Sequence, residues 1–265
     1  MKEPIEGSLP IASAGKRTNL SGLKFDSSAA QPVIDLILPA HNEVESIQFV
    51  VSSFYNEIIT KLPGRLIIAE DGSTDGTREK LFSLRNSIPI SVFSSPQRKG
   101  YAKGVSDALK KCSAPWIFFS DSDGQYYPSN FWQLWKNREG YDMIIGRKLY
   151  RSDGVHRTVL SNGFHGMANR LFGLSLRDAD CGFRLIRKSL IDSVVWNVRF
   201  LEYSFWTEFT IRANLAGYRI LEVPINHSNR PHGGTQIYKP SRIPIIVLKQ
   251  LKGLAELYSN TRNGC

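Results

Sequence analysis

Cysteine is scarce in this chain: three residues among 265, Cys112, Cys181 and Cys265, with no CxxC pair. An odd, scattered set suits neither a disulfide framework nor a zinc site, and it fits a reducing compartment. Long apolar runs are missing too. No stretch reaches the ~18 residues that a membrane span requires. The N-terminal MKEPIEGSLPIASAGKRTN lacks the apolar centre of a secretory signal. The expectation is a chain that neither crosses a bilayer nor is exported by the usual route. There is no internal repeat and no low-complexity tract. Acidic residues are the minority charge, 24 against 34 basic, for a formal net charge of +10. That balance suits an acidic partner: nucleic acid, a phosphorylated substrate or an anionic membrane surface.

What is there, 42% hydrophobic and 22% charged residues over this length, suits a large α/β domain with a substantial core. Residues 1–31 are polar and aperiodic, a tail. From Val33, apolar runs of strand length alternate with helical periods. The pattern predicts strands over 33–40, 65–70, 90–94, 116–121 and 141–146. It predicts a helix from an Asn42 cap to about Leu62, a second behind Thr74 or Asp75, and a third over 101–111. Farther on come a helix over 157–173, a strand over 181–188 and a helix over 204–217 closed by Gly217. A strand over 218–225 ended by Pro224, a glycine-rich loop over 229–236 and an amphipathic helix from Ser241 to Tyr258 follow. Such alternation means parallel pairing, with ligands beyond the carboxyl ends of the strands. Those ends read PAHNE, AEDGSTDG, SSPQRKG and FSDSDGQ.

Asp121 and Asp123 stand at i and i+2 where the fourth strand opens into a loop, so an extended chain puts both on one face. Carboxylates so placed repel each other unless a cation lies between them. Mg²⁺ or Mn²⁺ fits, being hard, oxygen-seeking and completed by substrate phosphates. Gln125 adds a carbonyl oxygen. The plainer interpretation is an Asx-turn, for which DSDG is good chemistry. Asp71 ends the adjacent crossover, and Arg98 and Lys99 precede a helix N-terminus that favours an anion. Together these features describe a diphosphate site.

PAHNE (39–43), EDGSTDGT (70–77), KGYAKGV (99–105) and FSDSDGQYYP (119–128) resemble the family 2 glycosyltransferases of the GT-A fold. That fold is α/β and Rossmann-like, with a central, mostly parallel sheet flanked by helices. Within the family, GRKLYRSDGVHR (146–157), DADCGFRLIRK (178–188), EVPINHSNR (222–230) and the glycines at 233–234 are similar to polyprenyl-phosphate (dolichyl or undecaprenyl) sugar transferases. The resemblance implies one catalytic domain over 32–240, then the amphipathic helix and tail over 241–265. It implies that Pro39, His41, Glu43 and Asp71 hold the nucleoside and that Lys99 and Asp121 complete the nucleotide-sugar site. Asp121, Asp123 and Gln125 would hold Mg²⁺ or Mn²⁺. Asp123, Arg147, Arg184 and Asp180 would form the catalytic centre, and Arg157 and Arg230 would hold an acceptor phosphate. Glu70 and Arg98 depart from the family, which commonly has Asp and Gly there.

The implied reaction is in-line attack on the anomeric carbon of a GDP- or UDP-linked hexose, with inversion. A lipid phosphate is already an anion and needs no base; a sugar hydroxyl would need one, from Asp178, Asp180 or Glu208. With a lipid phosphate, Asp178 or Asp180 would orient an arginine. The expected partners are a nucleotide-sugar donor and a polyprenyl phosphate met at the cytoplasmic face of a membrane. The amphipathic helix, the basic surface or a membrane partner protein would bring the chain there. A nucleic-acid binder would show aromatic–basic interleaving or a recognised module, and neither is present.

Overall fold

A computed structural model describes residues 31–149, 155–228 and 243–262, with the backbone alone for 155–160. The continuously apolar runs become strands: β1 (Ile34–Ala40), β2 (Gly64–Asp71), β3 (Ile90–Ser95), β4 (Trp116–Ser120), β5 (Met143–Lys148), β6 (Phe183–Arg187) and β7 (Ile220–Ile225). The amphipathic runs become helices: α1 (Ile47–Phe54), α2 (Thr77–Leu84), α3 (Tyr101–Lys111), α4 (Phe131–Lys136), α5 (Val155–Phe172), α6 (Lys188–Val194), α7 (Phe205–Leu215) and α8 (Ile243–Arg262). The strands form one seven-stranded sheet in the order β3-β2-β1-β4-β6-β5-β7. Pairing is parallel except that β6 runs against both β4 and β5. The order reverses direction between β1 and β4, the switch point where open α/β sheets bind ligands.

Helices cover both faces, so the central strands can be apolar throughout. Phe118 and Phe119 are adjacent on β4 and therefore point to opposite faces. Phe118 packs edge-on to Phe131 and Phe183, with centroids 4.9 and 4.8 Å away. Phe119 packs edge-on to Trp206 at 4.7 Å and Tyr101 at 6.4 Å. A smaller cluster joins α5, α7 and α8 through Ala168, Phe172, Ile211, Leu254 and Leu257.

Several predicted boundaries change. Asn42 caps no helix: it takes a left-handed φ of 55° and α1 begins at Ile47, ending in a π turn over Tyr55–Ile59. Its side chain is spent across the loop, where Oδ1 accepts from the Thr74 N–H at 2.9 Å. Gly76 is the residue before α2, and Asp75 accepts from the Thr77 N–H at 3.0 Å. Pro224 lies inside β7 rather than ending it, which an edge strand tolerates. The short helices α4 and α6 escape a search for long periodicity. The tail over 1–30 and the glycine-rich loop over 229–236 lie outside the described residues.

Candidate active site

The loops after β1 and β2 are zipped together by their own polar residues. The Asn42 N–H donates to Ser73 Oγ at 3.1 Å, the Glu43 N–H to Thr77 Oγ1 at 2.8 Å and the Val44 N–H to Asp75 Oδ2 at 3.1 Å. His41 donates from Nδ1 to the Asp71 carbonyl at 2.8 Å. Glu70 accepts from the Ser73 N–H, Arg78 Nε and the Ser94 hydroxyl. Burial would raise its pKa, but these donors outweigh burial and lower it.

Asp71 is engaged within the protein. Its two carboxylate oxygens accept from the Lys99 and Gly100 N–H groups at 2.7 and 2.9 Å. The start of α3 therefore already holds an anion from the protein. The Lys99 ammonium turns outward to Asp107 at 3.1 Å. Asp71 thus shapes the basic loop, and the diphosphate role predicted for Lys99 and the helix N-terminus has no support from this geometry.

The acidic pair lies at the switch point. The Ser122 hydroxyl donates to the Pro39 carbonyl and ties the DSDG loop to the end of β1. Asp123 Oδ1 accepts from the Gln125 N–H at 3.2 Å, so the Asx-turn is present together with the paired carboxylates. Gln125 reaches the other way, its Nε2 donating to the Ser228 carbonyl at 3.1 Å. The Asp121 N–H donates to the Gly182 carbonyl at 2.9 Å, and Asp121 Oδ1 accepts from the Tyr101 hydroxyl at 2.8 Å. Burial, then the Asp123 charge, pushes the Asp121 carboxyl up to about 7; Tyr101 and Lys148 oppose that rise. Burial, then Asp121, likewise raises Tyr101 well above the ordinary phenol range, so the hydroxyl keeps its proton.

A profile of the family described as "Glycosyl transferase family 2" matches residues 35–195, more than half of the chain. The chain belongs to this family. Undecaprenyl-phosphate 4-deoxy-4-formamido-L-arabinose transferase of Yersinia enterocolitica is 24% identical over 208 residues, 77% of this chain and 62% of that one. Glycosyltransferase AglJ of Haloferax volcanii is 27% identical over 224 residues, 82% of this chain and 70% of that one. This chain therefore spans less than two thirds of the Yersinia relative. Among solved structures, glucosyl-3-phosphoglycerate synthase of Mycobacterium tuberculosis in complex with Mn²⁺, UDP-glucose and phosphoglyceric acid matches with a TM-score of 0.61. That match covers 86% of this chain and 80% of that one at 18% identity, a likeness of fold.

Of the four arginines predicted for the site of this family 2 domain, Arg147 and Arg184 have described side chains. Arg184 is fully buried. Its guanidinium donates to the Cys181 and Ala179 carbonyls and to Thr210 Oγ1, and it stacks on Trp206 at 4.1 Å. In this arrangement it braces the floor of the site, with its donors spent on the protein itself. Arg147 alternates with Lys148 on β5, and it is Lys148 whose charge acts on Asp121 and lies 5.7 Å from the Tyr126 ring. Sequence reading passed over Lys148, although alternation from Gly146 could have found it. Arg230 and the Arg157 side chain lie outside the described residues.

The candidate bases also separate. Glu208 is fully buried and accepts from the Arg199, Phe200 and Leu201 N–H groups and from Arg212 Nε, so it is a structural carboxylate. Asp180 accepts from the Thr207 N–H and hydroxyl at 3.2 and 3.1 Å in the first turn of α7. Burial raises its pKa; His165 and Arg184 oppose this and Asp178 reinforces it. Tyr101 falls inside KGYAKGV, but its meeting with Trp206 carries no sequence signal, because it joins α3 to α7 across 105 positions of sequence.

Proposed function

We propose that this chain moves a hexose from a nucleotide sugar to a polyprenyl phosphate, with inversion, at the cytoplasmic face of a membrane. The observation that carries the reading is the Asp121–Asp123 pair at the β1/β4 switch point, where burial and then the Asp123 charge raise the pKa of Asp121. The residues fit a hard divalent cation. No group of three or more acidic, His or Cys side chains forms a cage among the described residues. Mg²⁺ and Mn²⁺ beside phosphates need only one or two carboxylates from the protein. Asp121 and Asp123 would hold the ion, which when bound would neutralise charge growing on a leaving diphosphate. The Mn²⁺ and UDP-glucose named with the mycobacterial synthase of the same fold support this chemistry, and the named activity of the Yersinia relative supports the acceptor class.

The chain's own groups divide the remaining work. The zipped loops at 41–44 and 70–77 wall the nucleoside end. Lys148 supplies positive charge beside the acidic pair, and Arg147, Arg157 and Arg230 are the reserve for an acceptor phosphate. Inversion follows from a single in-line displacement. One observation favours a hydroxyl acceptor instead: Asp180 is a carboxyl with a raised pKa, the property of a general base.

The test is nucleoside diphosphate release from a panel of UDP- and GDP-sugars with Mn²⁺ or Mg²⁺, with and without polyprenyl phosphate. Release should require both metal and lipid phosphate, and Asp123→Ala should lower turnover roughly 10²-fold or more with the fold intact. Full turnover in that variant would contradict the metal role. Loss of transfer in Asp180→Asn with donor hydrolysis kept would favour the hydroxyl acceptor.

A further inference from the structure

Resting on that reading of Asp121 as a metal ligand, we infer that Tyr101 and Trp206 form a positioning relay that sets the orientation of the Asp121 carboxylate for the cation. Trp206 Nε1–H donates to the Tyr101 hydroxyl at 3.0 Å, and that hydroxyl donates to Asp121 Oδ1 at 2.8 Å. A phenol O–H normally rotates about its C–O bond to suit its surroundings. Here the indole N–H takes a lone pair of the oxygen, which commits the phenol proton to the carboxylate.

The far side of the carboxylate is held by shape. A Cβ added at Gly182 would lie 1.9 Å from Asp121 Oδ2, so that oxygen lies directly against the Gly182 backbone. Oδ1 pinned by a donor and Oδ2 pressed on a backbone leave the carboxylate plane a single orientation. The Asp121 N–H bond to the Gly182 carbonyl fixes the main chain beneath it.

The relay is itself rigid. Trp206 is buried, packed edge-on to Phe119 and Phe209, and covered by the Arg184 guanidinium. Tyr101 occupies the first turn of α3, whose start is clamped by Asp71. Helices α3 and α7 are thus joined to the end of β4 at one oxygen atom. Outer partners that orient a ligating group matter for metal affinity almost as much as the ligand. The hydroxyl is dispensable for packing, since the edge-on contact of the Tyr101 ring with Phe119 needs the ring alone.

The experiment is Mn²⁺ binding followed by electron paramagnetic resonance, with the metal alone and no donor sugar, on the wild type, Tyr101→Phe, Trp206→Phe, the double variant and Asp123→Ala. Tyr101→Phe should weaken binding roughly ten-fold, and Trp206→Phe should weaken it less. The double variant should bind no worse than Tyr101→Phe, because the indole acts only through the hydroxyl. Wild-type affinity in Tyr101→Phe, with binding lost in Asp123→Ala, overturns the relay and leaves the metal reading standing. Unchanged binding in Asp123→Ala overturns both. Additive losses in the double variant also overturn the relay. Should Tyr101→Phe fail to fold, as read by circular dichroism, Trp206→Phe carries the test alone: weakened binding supports the relay and unchanged binding overturns it.

Discussion

Asp121 shows how one side chain can link local charge to a property of the whole protein. Its carboxyl, ordinarily near 3.8, is pushed up to about 7 by burial and by Asp123. The native state therefore binds more protons than the unfolded chain between those values. Stability at this position is greatest below the unfolded pKa and is lost as pH rises toward the folded one. Asp121→Asn removes that dependence. Without divalent cation, the stability of this variant relative to the wild type should increase from pH 5 to pH 8 in denaturant titrations. A constant difference across that range would mean that the carboxyl titrates normally. The aspartates were legible in the sequence because DSD follows an apolar run. The raised pKa of Asp121 was not, because it depends on burial and, besides Asp123, on Tyr101, Lys148 and Asp180, which arrive from distant parts of the chain.

The chain comes together over the site at the junction between β4 and β6. Gly182 precedes β6, and its lack of a Cβ lets the end of β4 bring Asp121 against it. The obstacle to a side chain there is the movable end of Asp121, so Gly182→Ala should keep the fold and swing the carboxylate away. Turnover is expected to fall at least about ten-fold while the circular dichroism spectrum stays that of the wild type. Retained turnover would show that the carboxylate can move without loss. The reversed direction of β6 was hidden in the sequence: FRLIR reads as a strand in either direction, and pairing partners are chosen by the sheet. The helix signals over 101–111 and 204–217 were clear, because apolar spacing at this period is set locally.

The proposed reaction would bring the whole molecule to a lipid acceptor, and no described helix is long and apolar enough to cross a membrane. α8 offers another route. One side docks on the domain through Leu254, Leu257 and the bond from Gln250 Nε2 to Ser204 Oγ. Gly253 lets the helix pass the Phe200 carbonyl, 2.3 Å from where a Cβ would lie. The opposite side exposes Leu248 at 68% and Ile245 at 59%, with Leu251 beside them and with Lys249 and Lys252 in exposed pairs with Glu202 and Glu256. On a protein with a net charge of +10, such a face suits an anionic bilayer surface. The wild type should sediment with phosphatidylglycerol-containing vesicles and far less with neutral ones, and Leu248→Glu with Leu251→Glu should stay in the supernatant. Equal sedimentation of both proteins would assign the face another role.

By itself the sequence determined the strand–helix alternation, the sheet edge that carries the motifs and the acidic pair at the fourth strand. These follow from periodicity and from charge beside apolar runs, which neighbours in the chain decide. Only the tertiary structure decided which polar groups are spent on the protein itself. It gave Asp71 to the start of α3, Arg184 and Glu208 to the buried framework, and Tyr101 with Trp206 to Asp121. Hydrogen bonds saturate, so a side chain committed to a distant backbone has less to offer a substrate, and that commitment depends on distances that sequence spacing does not contain.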